Sequence, residues 1–249
     1  MKFIGIDLGW QSGQSGLCCL QADRHYLHLL DVTRRLSLTD IFTWLDDWVE
    51  PGQGAMVAVD APTLIPNQTG TRLPDRLTHL HFGKYHAGCY PANLGRPFAQ
   101  RTIAVGLDLE ARGFAHAPTI TPQIPGRYQI EVFPHPAMIR LFQLERIIKY
   151  KKGTLSARKQ ALMQLQHCIK TYLSQLTPTL KLDSLLSQSL WRSPLDLTGK
   201  ELKALEDQLD SLMCAYIGAY WWYWGLEGNQ VLGDERSGYI IVPDLTPKT

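Results

Sequence analysis

Hydrophobic and polar residues at the start of the chain follow a pattern that predicts a small antiparallel sheet. Lys2–Asp7 alternates and ends in a glycine turn, and the apolar runs Ser15–Gln21 and His25–Val32 are separated by polar residues 22–24. Neither connection is long enough for a crossover helix, so we expect these three strands to form a meander. Ala55–Asp60 is continuously apolar up to its final aspartate, which is typical of an interior parallel strand.

In much of the remaining chain, apolar positions recur every three or four residues, which predicts helices. The predicted helices run from Ser37 or Thr39 to Pro51, from Thr102 to Arg112, from Pro136 to Leu144, from Ser156 to Leu176, and from Gly199 to Trp224. A fifth strand is predicted over Arg127–Phe133 and a short terminal strand over Ser237–Val242. Together these elements predict an α/β protein, in which helices flank a mixed sheet made of the meander and parallel strands.

The stretch from Ala61 to Gly126 is the least regular part of the chain and is rich in Pro, Gly, His and Asn. A segment this long without strands is expected to be an insertion or a lid. We therefore expect residues 1–249 to form a single domain, with the insertion after the fourth strand.

Composition excludes several classes of protein. The 25 basic and 23 acidic residues give a formal net charge of +2, which excludes a histone-like protein and an acidic tail. The five cysteines are scattered without a C-x-x-C pair, so reduced thiols are expected. The longest nearly apolar stretch, Leu212–Leu226, is too short for a membrane span, and Asp7 interrupts any signal peptide at its start. We expect a cytoplasmic protein that does not contact a membrane.

Three acidic residues lie where predicted strands end. Asp7 ends the first strand, Asp60 ends the fourth, and Glu131 lies near the carboxyl end of the fifth. Ligand sites of open α/β sheets lie at the carboxyl edge of the strands, so the three side chains are expected to meet there. Each residue also has an ordinary alternative, because Asp7 and Asp60 could form turns and Glu131 could face solvent.

The final helix supplies a fourth candidate. Asp210 lies about a third of a turn from the centre of the apolar stripe, from which it could face the same sheet edge. Glu206 and Asp207, one helical turn away, are alternatives to it. Converging carboxylates repel one another, so such a cluster usually implies a bound divalent cation, and oxygen ligands favour Mg²⁺ or Mn²⁺. Two such ions about 3.5–4 Å apart can activate a water and stabilise the leaving oxygen in phosphodiester hydrolysis.

Five short motifs, in this order and spacing, resemble the family called domain of unknown function 429. They are Gly5-Ile6-Asp7, Val59-Asp60-Ala61-Pro62, Ile130-Glu131-Val132-Phe133-Pro134-His135-Pro136, Lys149-Tyr150-Lys151-Lys152-Gly153 and Asp210-Ser211-Leu212-Met213-Cys214-Ala215-Tyr216. The resemblance covers nearly the whole chain and ends in residues 238–243. That family is described as predicted ribonuclease-H-like nucleases, similar to Holliday-junction resolvases in the late acidic helix.

The resemblance implies a ribonuclease-H-like fold and a set of site residues. It implies that Asp7, Asp60 and Asp210 bind the metal and that Glu131 is a fourth ligand or a structural partner. His135, between two prolines just beyond Glu131, could orient a ligand or shuttle a proton, or could simply be hydrogen-bonded in a rigid turn.

Basic residues are concentrated near the fourth motif. Between positions 140 and 159 there are seven basic residues and one acidic residue, which suits phosphate contacts but also an ordinary solvated surface. Among them, Lys151 and Lys152 are candidate phosphate contacts, together with Arg72 and Lys84 from the insertion. The three tryptophans between 221 and 224 could stack on bases, although aromatic residues in such a helix are more often core.

These patterns predict a metal-dependent nuclease or phosphodiesterase with a nucleic-acid substrate. One alternative is a non-catalytic binding or regulatory module that keeps the fold and its acids. A less favoured one is an ATP-dependent phosphotransferase, because such enzymes also open with a strand, an aspartate and a glycine turn. The chain is too short for their two domains, and it contains no G-x-x-x-x-G-K-[ST] motif. The sequence leaves the choice between DNA, RNA and small nucleotides open, as well as the oligomeric state.

Overall fold

A computed structural model describes residues 1–11, 13–182 and 185–245, with the side chains of 185 and 186 excepted. These residues form a mixed α/β fold. The strands are β1 (Lys2–Asp7), β2 (Ser15–Asp23), β3 (Tyr26–Arg35), β4 (Ala55–Val59), β5 (Ala115–His116), β6 (Arg127–Glu131), β7 (Thr179–Lys181), β8 (Asn229–Asp234) and β9 (Gly238–Pro243). The helices are α1 (Leu38–Trp48), α2 (Leu73–Phe82), α3 (Ala99–Ala111), α4 (Pro134–Leu141), α5 (Leu155–Tyr172) and α6 (Gly199–Trp224).

Within the described residues, seven strands form one sheet in the order β5-β6-β4-β1-β2-β3-β7. β1, β2 and β3 pair antiparallel, which confirms the predicted meander. β4 pairs parallel with both β1 and β6, which confirms the interior parallel strand. Because β1, β4 and β6 run in the same direction side by side, their carboxyl ends form one edge of the sheet.

Helices cover both faces of this sheet. Neighbouring residues of a strand point to opposite faces, and each face has its own apolar cluster. Phe3 and Ala58 pack towards α4, α5 and α6, whereas Ile4 and Val59 pack towards α1 and α3. Two-sided burial explains why β4 is apolar at every position.

The long helix α6 lies in backbone contact with the sheet because two glycines face it. A Cβ atom on Gly5 would lie 2.0 Å from the carbonyl oxygen of Ser211, and one on Gly16 would lie 2.0 Å from that of Asp207. Only a residue without a side chain permits this approach. The two contacts place the acidic turns of α6 against the ends of β1 and β2. Even so, neither α6 nor any other helix in the described ranges is both long and apolar enough to cross a membrane.

Several predicted elements differ from the structure. Residues 61–126 contain α2 and the short strand β5 in addition to α3, so the expectation that this stretch lacks strands is wrong. α2 was missed although Leu73, Leu77 and Leu80 recur at helical spacing, and its buried positions include Asp75 and Thr78 instead of these leucines. The terminal strand is real, but it pairs with the unpredicted strand β8 in a separate hairpin. That residues 61–126 act as an insertion or lid stays a prediction.

Candidate functional site

A large cavity opens at the carboxyl edge of the parallel strands. Its volume is about 1160 Å³, and Asp7, Asp60 and Glu131 all line it. β1 delivers Asp7 as its last residue, β4 ends one residue before Asp60, and Glu131 is paired in register with Val59. The strand order therefore brings together the three acids that the sequence placed at strand ends.

Asp7 and Asp60 lack a hydrogen-bond donor in the described part of the protein. Burial and the negative charges of Asp210 and Asp60 raise the pKa of Asp7 well above its usual value, although Lys151 opposes the shift. Burial, with smaller contributions from Asp210 and Glu131, raises the pKa of Asp60 to about 7 against the same opposing lysine. Two such carboxylates would be stabilised by any additional cation.

Asp210 belongs to the same electrostatic cluster but lies behind it. Its side chain is fully buried and is not part of the cavity wall. The Tyr150 hydroxyl donates a hydrogen bond of 2.6 Å to its Oδ1, and the Lys151 Nζ lies 2.7 Å from its Oδ2. The ammonium of Lys151 lines the cavity, so a ligand role for Asp210 requires Lys151 to move away from it.

Lys151 supplies a positive charge to the acid cluster. Burial disfavours its charged form, but Asp210, Asp7 and Asp60 outweigh that effect and raise the pKa of Lys151 well above its usual value. Lys151 is therefore charged at neutral pH and offsets part of the repulsion between the carboxylates. The sequence suggested a phosphate contact for this lysine, and did not reveal its ion pair with Asp210.

Glu131 and Arg72 form a buried salt bridge. Arg72 donates to Oε1 and Oε2 of Glu131 at 2.7 and 2.8 Å, to both carboxylate oxygens of Asp75, and to the carbonyl of Leu64. An arginine has five N–H donors, and all five are used here. Arg72 is also only 3% exposed. These contacts leave Arg72 without a free N–H donor for the substrate phosphate predicted for it, and Glu131 has the contacts of a structural partner that ties α2 to β6.

We expect Glu131→Gln to lower the free energy of unfolding by about 1–3 kcal/mol, because a buried charged pair becomes a charged residue with a neutral partner. Mn²⁺ affinity is expected to stay within about twofold of the wild type. Urea denaturation and titration calorimetry measure the two quantities. Glu145→Gln, at an exposed position, is the matched control. A tenfold or greater loss of Mn²⁺ affinity in a folded Glu131→Gln protein would instead make Glu131 a ligand.

The alternatives to Asp210 are also paired. Asp207 accepts from Arg34 at 2.7 Å and lies 2.7 Å from the Nζ of Lys203. Glu206 pairs with the same lysine and with Arg158. Asp207 and both of its partners line the cavity. These contacts make that wall a network of ion pairs.

The predicted basic residues differ in whether they line the cavity. Lys149 and Lys152 are exposed, line the cavity, and make no ion pair within the described ranges. Lys84 lies over the ring of Tyr85 and does not line the cavity, so the phosphate role predicted for it has no support from this site and stays a prediction. Among the described residues, the cavity-lining lysines without an ion pair thus lie in the segment before α5.

Histidine and aromatic residues complete the wall. His135 lines the cavity, and burial and the nearby charge of Lys151 lower its pKa to about 4, so its ring is neutral at pH 7. Trp221 and Trp222 are buried, which confirms the interpretation as core. Trp10 and Tyr90, by contrast, are exposed and line the cavity. Sequence reasoning missed both, although Trp10 follows Asp7 in the same turn.

Mg²⁺ and Mn²⁺ prefer oxygen ligands, which the acids of the cavity could supply. Among the residues that the structure describes, no three His, Cys, Asp or Glu side chains are arranged to hold one metal ion. Asp7 and Asp60 nevertheless offer two neighbouring carboxylates without protein donors. Mg²⁺ is commonly bound by one or two carboxylates, with waters and substrate phosphates as its other ligands. The two aspartates fit that kind of site.

Comparison with known proteins identifies one matching family. The sequence profile of a family described as "Protein of unknown function (DUF429)" matches residues 5–235. This span includes every acid and lysine of the cavity wall described above. Comparison with curated proteins and with solved structures gives no match.

Proposed function

The chain belongs to the DUF429 family, and from this premise we propose that it is a metal-dependent nuclease that hydrolyses phosphodiester bonds. The observation that carries the proposal is the pair of carboxylates, Asp7 and Asp60, at one sheet edge in a cavity that free lysines also line. Acids of this kind bind divalent cations, and lysines bind the phosphate backbone. Both halves of the chemistry occur in the same cavity.

We also propose that the fold is ribonuclease-H-like. The support is the antiparallel meander β1-β2-β3 followed by the parallel strand β4 next to β1, with a late acidic helix across the sheet. In that arrangement the first strand, the fourth strand and the late helix each contribute an acid to one edge. Asp7 ends β1, Asp60 follows β4, and Asp210 lies on α6, buried outside the cavity wall.

In this proposal each side chain has a separate role. Asp7 and Asp60 hold Mg²⁺ or Mn²⁺, which supplies Lewis-acid stabilisation of phosphate charge and a more acidic water. Lys151 holds its ammonium between Asp210 and the cavity, where it attracts a phosphate oxygen. Lys152 attracts the neighbouring backbone phosphate. Asp210 acts as a positioning residue for Lys151, whose Nζ lies 2.7 Å from its Oδ2.

Wild-type protein incubated with single-stranded DNA, duplex DNA, RNA and a small phosphodiester tests the proposal. We expect cleavage of at least one substrate with Mn²⁺ or Mg²⁺, and none with EDTA. The products are measured by gel electrophoresis or, for the small diester, by absorbance. If folded protein cleaves none of them with either metal, the nuclease proposal is wrong.

The raised pKa of Asp60 leads to a prediction about stability. Its pKa in the folded protein is about 7, above the ordinary 3.8, so the folded state binds this proton more tightly than the unfolded chain. The contribution of this bound proton to the stability of the folded state is complete at acid pH, and it is lost as the pH rises towards about 7. We therefore compare the melting temperatures of Asp60→Asn and wild type in EDTA. The difference, variant minus wild type, is expected to increase by at least about 3 °C as the pH rises through this range.

Melting curves between about pH 4 and pH 7.5 measure this difference. Asp47→Asn, at an exposed position of α1, is the control, and its difference from wild type is expected to stay constant. Mn²⁺ added at the upper pH is expected to raise the melting temperature of wild type but not that of Asp60→Asn. A pH-independent difference for Asp60→Asn contradicts the prediction.

A second function is favoured by one observation. The ion pair of 2.7 Å between Lys151 and Asp210 already supplies a cation to the acid cluster. If this ion pair stays intact and takes the place of a metal ion, the protein would bind nucleic acid through its lysines without hydrolysing it. Binding of DNA or RNA in both EDTA and Mn²⁺, without cleavage in either, would identify such a non-catalytic binding module.

A further inference from the structure

Two exposed aromatic side chains lie on the wall of the cavity that contains Asp7 and Asp60. Trp10 is 49% exposed and Tyr90 is 71% exposed, and both line this cavity. Large aromatic side chains usually gain stability by burial, and clusters of exposed apolar side chains usually mark binding surfaces. The hydrolysis proposed above uses neither ring.

The two rings form a corner. Their centroids are 6.2 Å apart and their planes meet at 85°. Trp10 also packs against the largely buried Phe98, with centroids 4.6 Å apart, so one side of the tryptophan is supported by the core. A flat ligand can stack on one ring of such a corner and contact the edge of the other.

The backbone next to Trp10 is anchored. The N–H of Gly9 donates to Ser15 Oγ at 3.0 Å, and the carbonyl of Gly9 accepts from Arg101 Nε at 2.9 Å. Arg101 also donates to the carbonyl of Leu36. The turn that carries Trp10 is therefore tied to α3 and to the end of β3, and the ring is held three residues from Asp7.

The backbone after Tyr90 is anchored as well. The N–H of Ala92 donates to Asp75 Oδ2 at 2.9 Å, and the carbonyl of Pro91 accepts from Arg96 Nε at 3.2 Å. Asp75 is itself fixed by Arg72. The network that binds Glu131 thus also positions the second ring of the corner.

Charge in the cavity identifies the class of ligand. Lys149 and Lys152 line it without an ion pair in the described part of the chain, so the ligand is expected to be an anion. A neutral sugar would also stack on aromatic rings, but it would not need these lysines. A nucleotide satisfies both features, because its phosphate is anionic and its base is flat. The volume of about 1160 Å³ accommodates more than one nucleotide unit.

We propose that Trp10 and Tyr90 form a stacking subsite for an unpaired nucleobase next to the scissile phosphate. The inference rests on the proposed nuclease function and makes single-stranded or locally unpaired nucleic acid the substrate class. A base inside a duplex already stacks on its neighbours, whereas an unpaired base has a free face. Stacking on aromatic side chains tolerates any base sequence, and its loss typically weakens binding about 5- to 150-fold.

Binding measured in EDTA tests the subsite without cleavage. The probes are a fluorescent oligothymidylate of about ten nucleotides, an abasic strand with the same number of phosphates, and a duplex of equal length, all followed by anisotropy. We expect Trp10→Leu to weaken oligothymidylate binding about tenfold and to leave abasic binding unchanged. Wild type is expected to prefer the single strand to the duplex. Trp48→Leu, half-buried on α1 and outside the cavity, is the matched control.

Tyr90→Leu is the second variant and supports the subsite by the same base-dependent loss if Trp10→Leu does not fold. Unchanged oligothymidylate affinity in folded variants overturns the subsite, as does an equal loss on the abasic strand or absence of wild-type binding. Self-association that Trp10→Leu abolishes, with oligonucleotide binding unchanged, also overturns it in favour of a second copy as the partner.

Base-dependent loss without any Mn²⁺-dependent cleavage supports the subsite and refutes only the nuclease. Cleavage by wild type with unchanged affinity of the variants refutes only the subsite.

Discussion

Asp60→Asn is expected to reduce metal-dependent phosphodiester cleavage by on the order of 10³-fold. Asp60 is one of two carboxylates at the cavity that have no hydrogen-bond donor among the described residues, and asparagine keeps the shape of the side chain while removing its charge. A catalytic cation contributes several kcal/mol of transition-state stabilisation, and each 1.36 kcal/mol corresponds to a tenfold change in rate. Initial rates of wild type and variant at saturating Mn²⁺ measure the effect.

Three further measurements make this result specific. Circular dichroism and the melting temperature of Asp60→Asn show whether the fold is retained, and titration calorimetry is expected to show that Mn²⁺ binding is weakened with it. Asp47→Asn, purified in the same way, is expected to retain full activity. Since a contaminating nuclease would be unaffected by the substitution, loss in Asp60→Asn alone assigns the activity to this protein. A folded Asp60→Asn protein with wild-type activity would remove Asp60 from the site.

The second large effect is expected for Gly5→Ala in β1. The added Cβ would lie 2.0 Å from the carbonyl oxygen of Ser211 and 2.4 Å from the backbone nitrogen of Ala215. Both are backbone atoms of α6, so no side chain can rotate away and the helix itself must move. We expect the free energy of unfolding to fall by about 3 kcal/mol or more. Cleavage is also expected to fall, because α6 carries Asp210, which holds Lys151.

Gly199→Ala is the matched control for this substitution. Gly199 is the first residue of the same helix, and no atom lies within 4 Å of the position of its Cβ. Because alanine favours the helix over glycine, this variant is expected to be as stable as wild type or more stable by up to about 1 kcal/mol. Urea denaturation of both variants measures the difference. If Gly5→Ala is as stable as Gly199→Ala, the backbone contact between β1 and α6 does not limit the fold.

Local patterns carried enough information to predict most of the regular elements. β1 and α6 were predicted with the bounds that the structure shows, and Ser37, one of two predicted caps, does cap α1. The reason is that alternation, helical spacing and capping each depend on residues a few positions apart. β5 has only two residues and leaves no such local signal. α2 has leucines at helical spacing, but it buries Asp75 and Thr78 instead of them, which only the tertiary structure shows.

The same distinction holds for the candidate site. Sequence alone placed Asp7 and Asp60 at strand ends, and the parallel pairing of β1 with β4 then makes them neighbours. Only the tertiary structure decided which side chain forms a hydrogen bond or ion pair with each acid. Arg72 and Glu131 are 59 positions apart, and Tyr150 and Asp210 are 60 apart, and no pattern along the chain records such pairs. The sequence thus determined most of the elements and the acids at their ends, because these follow from local backbone preferences. The packing of α6 and the exposure of Trp10 follow from contacts between distant segments, and these only the folded chain brings together.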